Sequence, residues 1–154
     1  MSIRVVEAVT EAERALGRAL RHAVFVAEQA VPPEVEVDGL DDECQHFLAL
    51  LRQTAAEADD AAVATARARI TKRGWKIERV AVGRVHRGRS VGAALVGHML
   101  AQAPRGLTVY VHAQESALGF WQRMGFVAEG PAFVEGGIPH RLMCWGTAES
   151  AIPR

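Results

Sequence analysis

Residues 84 to 97 read RVHRGRSVGAALVG: Arg84, Arg87 and Arg89 with His86, then Gly88, Ser90 and Gly92 ahead of apolar residues at helical spacing. The strand-like run KIERVAV, residues 76 to 82, stands directly before it. A strand that enters a glycine-containing loop and then a helix presents unpaired backbone amides and a positive helix end, which suits phosphate or pyrophosphate. Two large classes of phosphate loop are excluded, because no GK[ST] closes the segment and no GxGxxG is present. A surface turn with solvated arginines fits the same residues, so the loop alone leaves both readings open.

Carboxylates supply the second candidate chemistry. Glu78 precedes Val80 and Val82 by two and four positions, so strand alternation puts all three on one face and a carboxylate near any cleft that face lines. An ion pair with Arg79 or Arg67 is the alternative. Acids crowd EVEVDGLDDE, residues 34 to 43. With Glu28, the residues Glu36, Asp38, Asp41 and Asp42 suit an acidic mouth for a cationic amine, or else a solvated loop. His140, in GGIPHRLM, is the histidine placed to reach a substrate; His22, His46, His86, His98 and His112 read as surface or packing residues. Cys44 and Cys144 have neither metal-ligand nor disulfide-framework spacing, and DDECQH lacks a spacing motif, so no metal is expected.

The elements that must position these groups are legible in outline. SIRVVEA reads as a strand, and Thr10 with Glu13 forms a capping box ahead of an amphipathic helix from Ala12 to Val24. VPPEVEVDGLDDE breaks periodicity and reads as a long loop. HFLALLRQ and AVATARARI read as a hairpin around the turn AAEADD. KIERVAV, the helix after Ser90, the strand LTVYVHA, the short helix SALGFWQRM and two closing strands around a glycine turn complete a mixed α/β sheet. The 154 residues are expected to form one domain, 1–154, of ordinary soluble composition at 49% hydrophobic and 23% charged. Balanced charge, with 18 basic and 18 acidic residues, gives no expectation of nucleic acid or membrane partners, and the cysteine usage suggests a reducing cytoplasm.

Together these residues resemble the GNAT superfamily of N-acetyltransferases. VAVGRVHRGRSVGAAL is similar to its acyl-CoA pyrophosphate loop, with Ser90 where the first glycine of that pattern usually lies. RHAVFVAEQAVPPEVEVDGLDDECQHFL, KIERVAV, AQESALGFWQRMGF and GGIPHRLM look like the ElaA/YjcF-type branch, in the same order. The resemblance implies a single mixed, mostly antiparallel sheet of about six to seven strands flanked by helices, with splayed parallel central strands. It implies acetyl-CoA as cosubstrate, with pantetheine along Val80, Ala81 and Val82 and pyrophosphate at Arg87, Gly88, Arg89, Ser90, Val91, Gly92 and Ala93. Gln114 and Phe120 are implied as further cofactor contacts, Glu78 as general base, and Glu28, Glu36, Asp38 and His140 as acceptor contacts.

The implied reaction moves an acetyl group to a primary amine of a small molecule or peptide by direct attack, without a metal. Many relatives carry a tyrosine acid where this chain has Trp121 after Phe120; an indole cannot deliver a proton usefully, so the general acid is unassigned. Arg21, Phe25, Glu36, Asp38 and Asp41 are also similar to acyl-homoserine-lactone synthases, and a noncatalytic acyl-CoA-binding protein is a third reading. Exposed sheet edges in such folds suggest a homodimer as the candidate assembly.

Overall fold

The computed structural model describes residues 2–52 and 60–146. Their strands are β1 (Ile3–Glu7), β2 (Gln45–Leu51), β3 (Ala61–Ile70), β4 (Trp75–Val82), β5 (Val109–Gln114), β6 (Phe126–Glu135) and β7 (Ile138–Trp145). They form one seven-stranded sheet in the order β1-β2-β3-β4-β5-β7-β6. The β1–β2, β2–β3, β5–β7 and β6–β7 ladders are antiparallel, while β4 and β5 are parallel. The parallel ladder pairs Trp75 with Val109 and Lys76 with Tyr110, at the beginnings of both strands. No described helix is long and apolar enough to cross a membrane.

The described chain divides into two compact units, residues 1–69 with 79–102 and residues 70–78 with 103–154, so β4 contributes to both. In the first, helix α1 (Glu11–Arg21) starts at the expected capping box. The Thr10 side chain accepts from the Glu13 amide at 3.1 Å, and the Glu13 carboxylate accepts from the Thr10 amide at 3.0 Å. Helix α1 packs closely on the sheet at Gly17, where a Cβ would lie 2.9 Å from the Thr65 hydroxyl. The expected helix continues past Arg21 as a π-helical segment, His22–Glu28.

The hairpin β2–β3 is present, with Phe47, Leu48 and Ala49 fully buried; most of its expected turn, AAEADD, lies outside the described residues. The acidic stretch is less irregular than its sequence suggests. Pro33 starts a short helix α2 (Pro33–Glu36), its ring presetting the helical φ, and Asp41–Glu43 form a single 3₁₀ turn. Helix α3 (Val91–Ala101) buries Val91, Leu95, Val96, Met99 and Leu100.

In the second unit, β5, β7 and β6 form an antiparallel ribbon, with helix α4 (Leu118–Arg123) between β5 and β6. The β6–β7 connection is Gly136-Gly137, at φ +58° and +77°. Those angles favour glycine and match the type I′ turn that suits strand twist. They lock the register Glu135↔Ile138, Val134↔Pro139 and Phe133↔His140.

Candidate functional site

After β4 the chain makes a 3₁₀ turn, Arg84–His86, then an exposed run from Arg87 to Ser90 that enters α3. Gly88 has φ +76°, and Ser90, the residue before the helix, has φ +62° and ψ +18°. The Ser90 carbonyl accepts from the Ala94 amide at 3.0 Å, so the amides of Val91, Gly92 and Ala93 precede the first intrahelical donor. The Ser90 hydroxyl makes no capping hydrogen bond. These features fit an anion cradle: orphan amides, a positive helix end and a free hydroxyl at the loop expected to hold pyrophosphate.

A left-handed conformation in a residue with a Cβ costs about 1–2 kcal/mol, which glycine avoids at an entropic cost of about 0.5–1 kcal/mol. Ser90→Gly is therefore expected to stabilise the fold by about 0.5–1 kcal/mol, measured by urea denaturation, and to preserve anion binding. A loss of ligand affinity in this more stable variant would show that the hydroxyl belongs to the cradle.

Arg87, the first residue of the loop pattern, is held from the π-helical segment. Its guanidinium donates to both Glu28 carboxylate oxygens, at 2.5 and 2.7 Å, and its Nε donates to the Val82 carbonyl at 3.0 Å. These bonds hold the Glu28 carboxyl below its ordinary range and raise the Arg87 pKa. Glu28, expected as an acceptor contact, is thus the partner of Arg87 in the loop before α3. With Ala23, Val24, Ala27, Gly83 and Arg84 it lines a cavity of about 470 Å³. An anion at this loop competes with Glu28 for Arg87, so Glu28→Gln should tighten coenzyme A binding. Calorimetric titration of both proteins tests this; weaker binding to the variant would contradict it.

Glu36 and Asp38 were also expected at an acidic mouth, and the geometry corrects that expectation. Arg21 Nε donates to Glu36 at 2.6 Å and Arg21 Nη1 to Asp41 at 2.8 Å. Arg67 donates to Asp38 at 2.5 and 3.0 Å and to Asp41 at 2.8 Å. Arg79 reaches Asp38 at 3.2 Å and lies 3.6 Å from Glu36. Arg21, Arg67 and Glu36 are 2%, 1% and 5% exposed. Three cations and three anions thus neutralise one another, and the acidic segment is tied down as structure. Burial pushes the Asp38 carboxyl up, but the Arg67 bonds, the Leu40 amide and the Arg67 and Arg79 charges outweigh it, holding it well below the usual range. Asp41 is lowered likewise against burial by Arg21 and Arg67.

The same network bears on β4, the strand expected to bind pantetheine. Arg79 has φ +56°, a left-handed residue within β4, and its guanidinium also donates to the Val35 and Glu36 carbonyls at 3.3 Å. This interrupts the pleat between Glu78 and Val80, so simple alternation no longer carries Glu78, Val80 and Val82 onto one face. Of Val80, Ala81 and Val82, only Ala81 is buried.

In the second unit, the Glu78 carboxylate lies 3.2 Å from Lys76 Nζ and is 9% exposed. Gln114 ends β5 and pairs with His140 on β7. Phe120 meets Trp121 edge to face at 5.1 Å, and Trp121, only 6% exposed, meets Phe126 at 5.0 Å. Trp121 is therefore a packing residue. Tyr110 is one too, buried with its hydroxyl 2.6 Å from the Thr71 hydroxyl. Burial and Glu129 push the Cys144 thiol up to about 12, leaving it protonated at neutral pH. His140 is buried, and beside it stand His112, read from the sequence as a surface or packing residue, and two residues sequence reasoning passed over, Phe133 and Glu135. The signal for them was the Gly136-Gly137 turn, whose register sets Phe133 opposite His140.

Comparison with known proteins agrees with this architecture. The family described as Acetyltransferase (GNAT) domain matches residues 22–146. Bacillus subtilis YyaT is 34% identical over 139 residues, covering 87% of this chain and 89% of YyaT. The Bacillus subtilis N-acetyltransferase YjcF is 32% identical over 127 residues, covering 80% of this chain and 86% of YjcF. The crystal structure of Escherichia coli ElaA superposes with a TM-score of 0.77 at 27% identity, over 94% of this chain and 99% of that one. With that match across most of its length and the sheet of that fold, the chain belongs to the GNAT family, in its ElaA/YjcF branch, and is an acyltransferase.

Proposed function

We propose that the protein transfers an acetyl group from acetyl-CoA to a primary amine by direct attack of the amine. The observation that carries this reading is the loop before α3, where Gly88 and Ser90 take positive φ and the amides of Val91, Gly92 and Ala93 precede the first intrahelical donor. Acetyl-CoA supplies the activated thioester. The amides of Val91, Gly92 and Ala93, with Gly88 and the arginines, would hold its pyrophosphate, a group of matching charge and geometry. The backbone of Val80, Ala81 and Val82 would bind pantetheine, and Gln114 and Phe120 would add contacts, as the family resemblance implies.

Glu78 takes the proton that the attacking amine must lose, directly or through water. Its side chain is 9% exposed and lies 3.2 Å from Lys76 Nζ, so the carboxylate is held in place beside that cation. The structure supports no tyrosine or tryptophan acid, because Tyr110 and Trp121 are both core residues. The thiolate then leaves unassisted or is protonated by water. The expected result is thiol release from acetyl-CoA that depends on an added amine, across a panel of polyamines, amino sugars, amino acids and peptides. Thiol release equal with and without every amine would overturn the proposal.

A further inference from the structure

Arg79 is the residue at which the extended backbone of β4 breaks. Its φ of +56° is left-handed, a conformation that a residue with a Cβ adopts at a cost and keeps only where its surroundings over-determine it. The surroundings act through its side chain. Arg79 Nη2 reaches the Val35 and Glu36 carbonyls at 3.3 Å and the Asp38 carboxylate at 3.2 Å, while the buried Nε faces Glu36 Oε1 at 3.6 Å. The two carbonyls stand at the C-terminal end of α2, where a helix leaves carbonyls without internal donors. One guanidinium thus ties a strand of the sheet to the acidic segment.

That segment is itself fixed. Asp38 accepts from Arg67 of β3 and from the Leu40 amide, Glu36 accepts from Arg21 of α1, and the Asp41 carbonyl lies 2.8 Å from His46 Nε2 on β2. The next ties along β4 lie at its end, where the Val82 carbonyl accepts from Arg87 Nε at 3.0 Å and the Gly83 amide donates to the Val63 carbonyl at 2.8 Å. Val80, Ala81 and Val82 therefore run between two fixed points, and the rotation at Arg79 sets where their N–H and C=O groups aim. All of these residues belong to the first compact unit.

We propose that Arg79 is a positioning residue: residues 35–41 act through its guanidinium as a strut that aims the backbone of Val80, Ala81 and Val82 at the pantetheine arm of the cofactor. The inference rests on the acetyl-CoA reading for the identity of that arm. It gives the acidic segment a task other than meeting an acceptor. Glu36 and Asp38 govern how tightly the arm is held without touching it.

Two variants test the strut. Arg79→Ala keeps the steric cost of the left-handed angle and removes the tie, so residue 79 should relax to extended backbone. Glu36 and Asp38 retain Arg21 and Arg67, so the fold should persist. Asp38→Asn loosens the same tie from 41 positions away. The first readout needs no ligand. In NMR spectra the Cα and Cβ secondary shifts of residue 79 should lose their left-handed pattern in Arg79→Ala, and the amides of Val80, Ala81 and Val82 should move in both variants; unmoved amides would overturn the strut. The second readout is calorimetric titration with coenzyme A and with adenosine 3′,5′-bisphosphate, which keeps the nucleotide end and lacks the pantetheine arm. Both variants should bind coenzyme A about tenfold or more weakly and the bisphosphate as the native protein does. Equal weakening of the two ligands, as a general loosening of the fold would give, or no weakening of either, would overturn the positioning role. Native protein that binds neither ligand would instead overturn the acetyl-CoA reading, and the amide shifts would still decide whether the acidic segment sets β4.

Discussion

Replacing Arg67 by methionine is expected to cost about 3–5 kcal/mol of folding stability and to lower the thermal midpoint by roughly 10 °C or more. Arg67 is 1% exposed and holds Asp38 and Asp41 together, so its loss leaves carboxylates without their main counter-charge in a poorly solvated place. Asp38→Asn added to Arg67→Met should recover part of the loss, because it removes one of the stranded charges. The native network also has a pH signature. Asp38 and Asp41 have depressed folded-state pKa values, so their contribution is fully present above the ordinary carboxylate value near 3.8. It is lost as pH falls through the depressed values. Urea midpoints measured down to strongly acid pH should decline on that side for the native protein and decline less for Arg67→Met. Equal acid slopes would mean that the pairs do not contribute.

Glu78→Gln is expected to lower the rate of acetyl transfer by about 10²–10⁴-fold, the usual contribution of a positioned general base. Glutamine keeps the shape and hydrogen-bonding reach of the side chain but cannot take a proton. The acid-side limb of the kcat/KM profile should therefore disappear with it, and acetyl-CoA affinity should remain. Loss of rate with an unchanged pH profile would reassign Glu78 to its ion pair with Lys76.

Groups governed by local rules were the ones legible in the sequence. The Thr10–Glu13 capping box, the β2–β3 hairpin and the helix after Ser90 all follow from neighbours a few residues apart. The loop between β4 and α3 was legible for the same reason, as glycine, serine and arginine spacing announces a strand–loop–helix junction. What the sequence concealed depends on long-range pairing. Arg21, Arg67 and Arg79 lie far from the acidic segment along the chain, so EVEVDGLDDE read as open negative charge when every one of Glu36, Asp38 and Asp41 has an arginine partner.

Backbone strain was equally hidden. Nothing in KIERVAV signals that Arg79 adopts a left-handed conformation, and it is this residue that breaks the alternation used to place Glu78 beside Val80. Ser90 likewise takes a positive φ, at the position where the family pattern usually has glycine, a conformation serine adopts at a cost. His112 and Glu135 are 23 residues apart and meet only through the strand order, in which β7 lies between β5 and β6.

The central claim is that the loop from Arg87 to Ala93 holds the pyrophosphate of acetyl-CoA, and thermal denaturation with added ligand tests it most directly. A ligand bound to the folded state alone stabilises it by about 2.7 kcal/mol at a hundred times its Kd. Acetyl-CoA and free coenzyme A should both raise the midpoint progressively with concentration. No shift at millimolar acetyl-CoA would contradict the account.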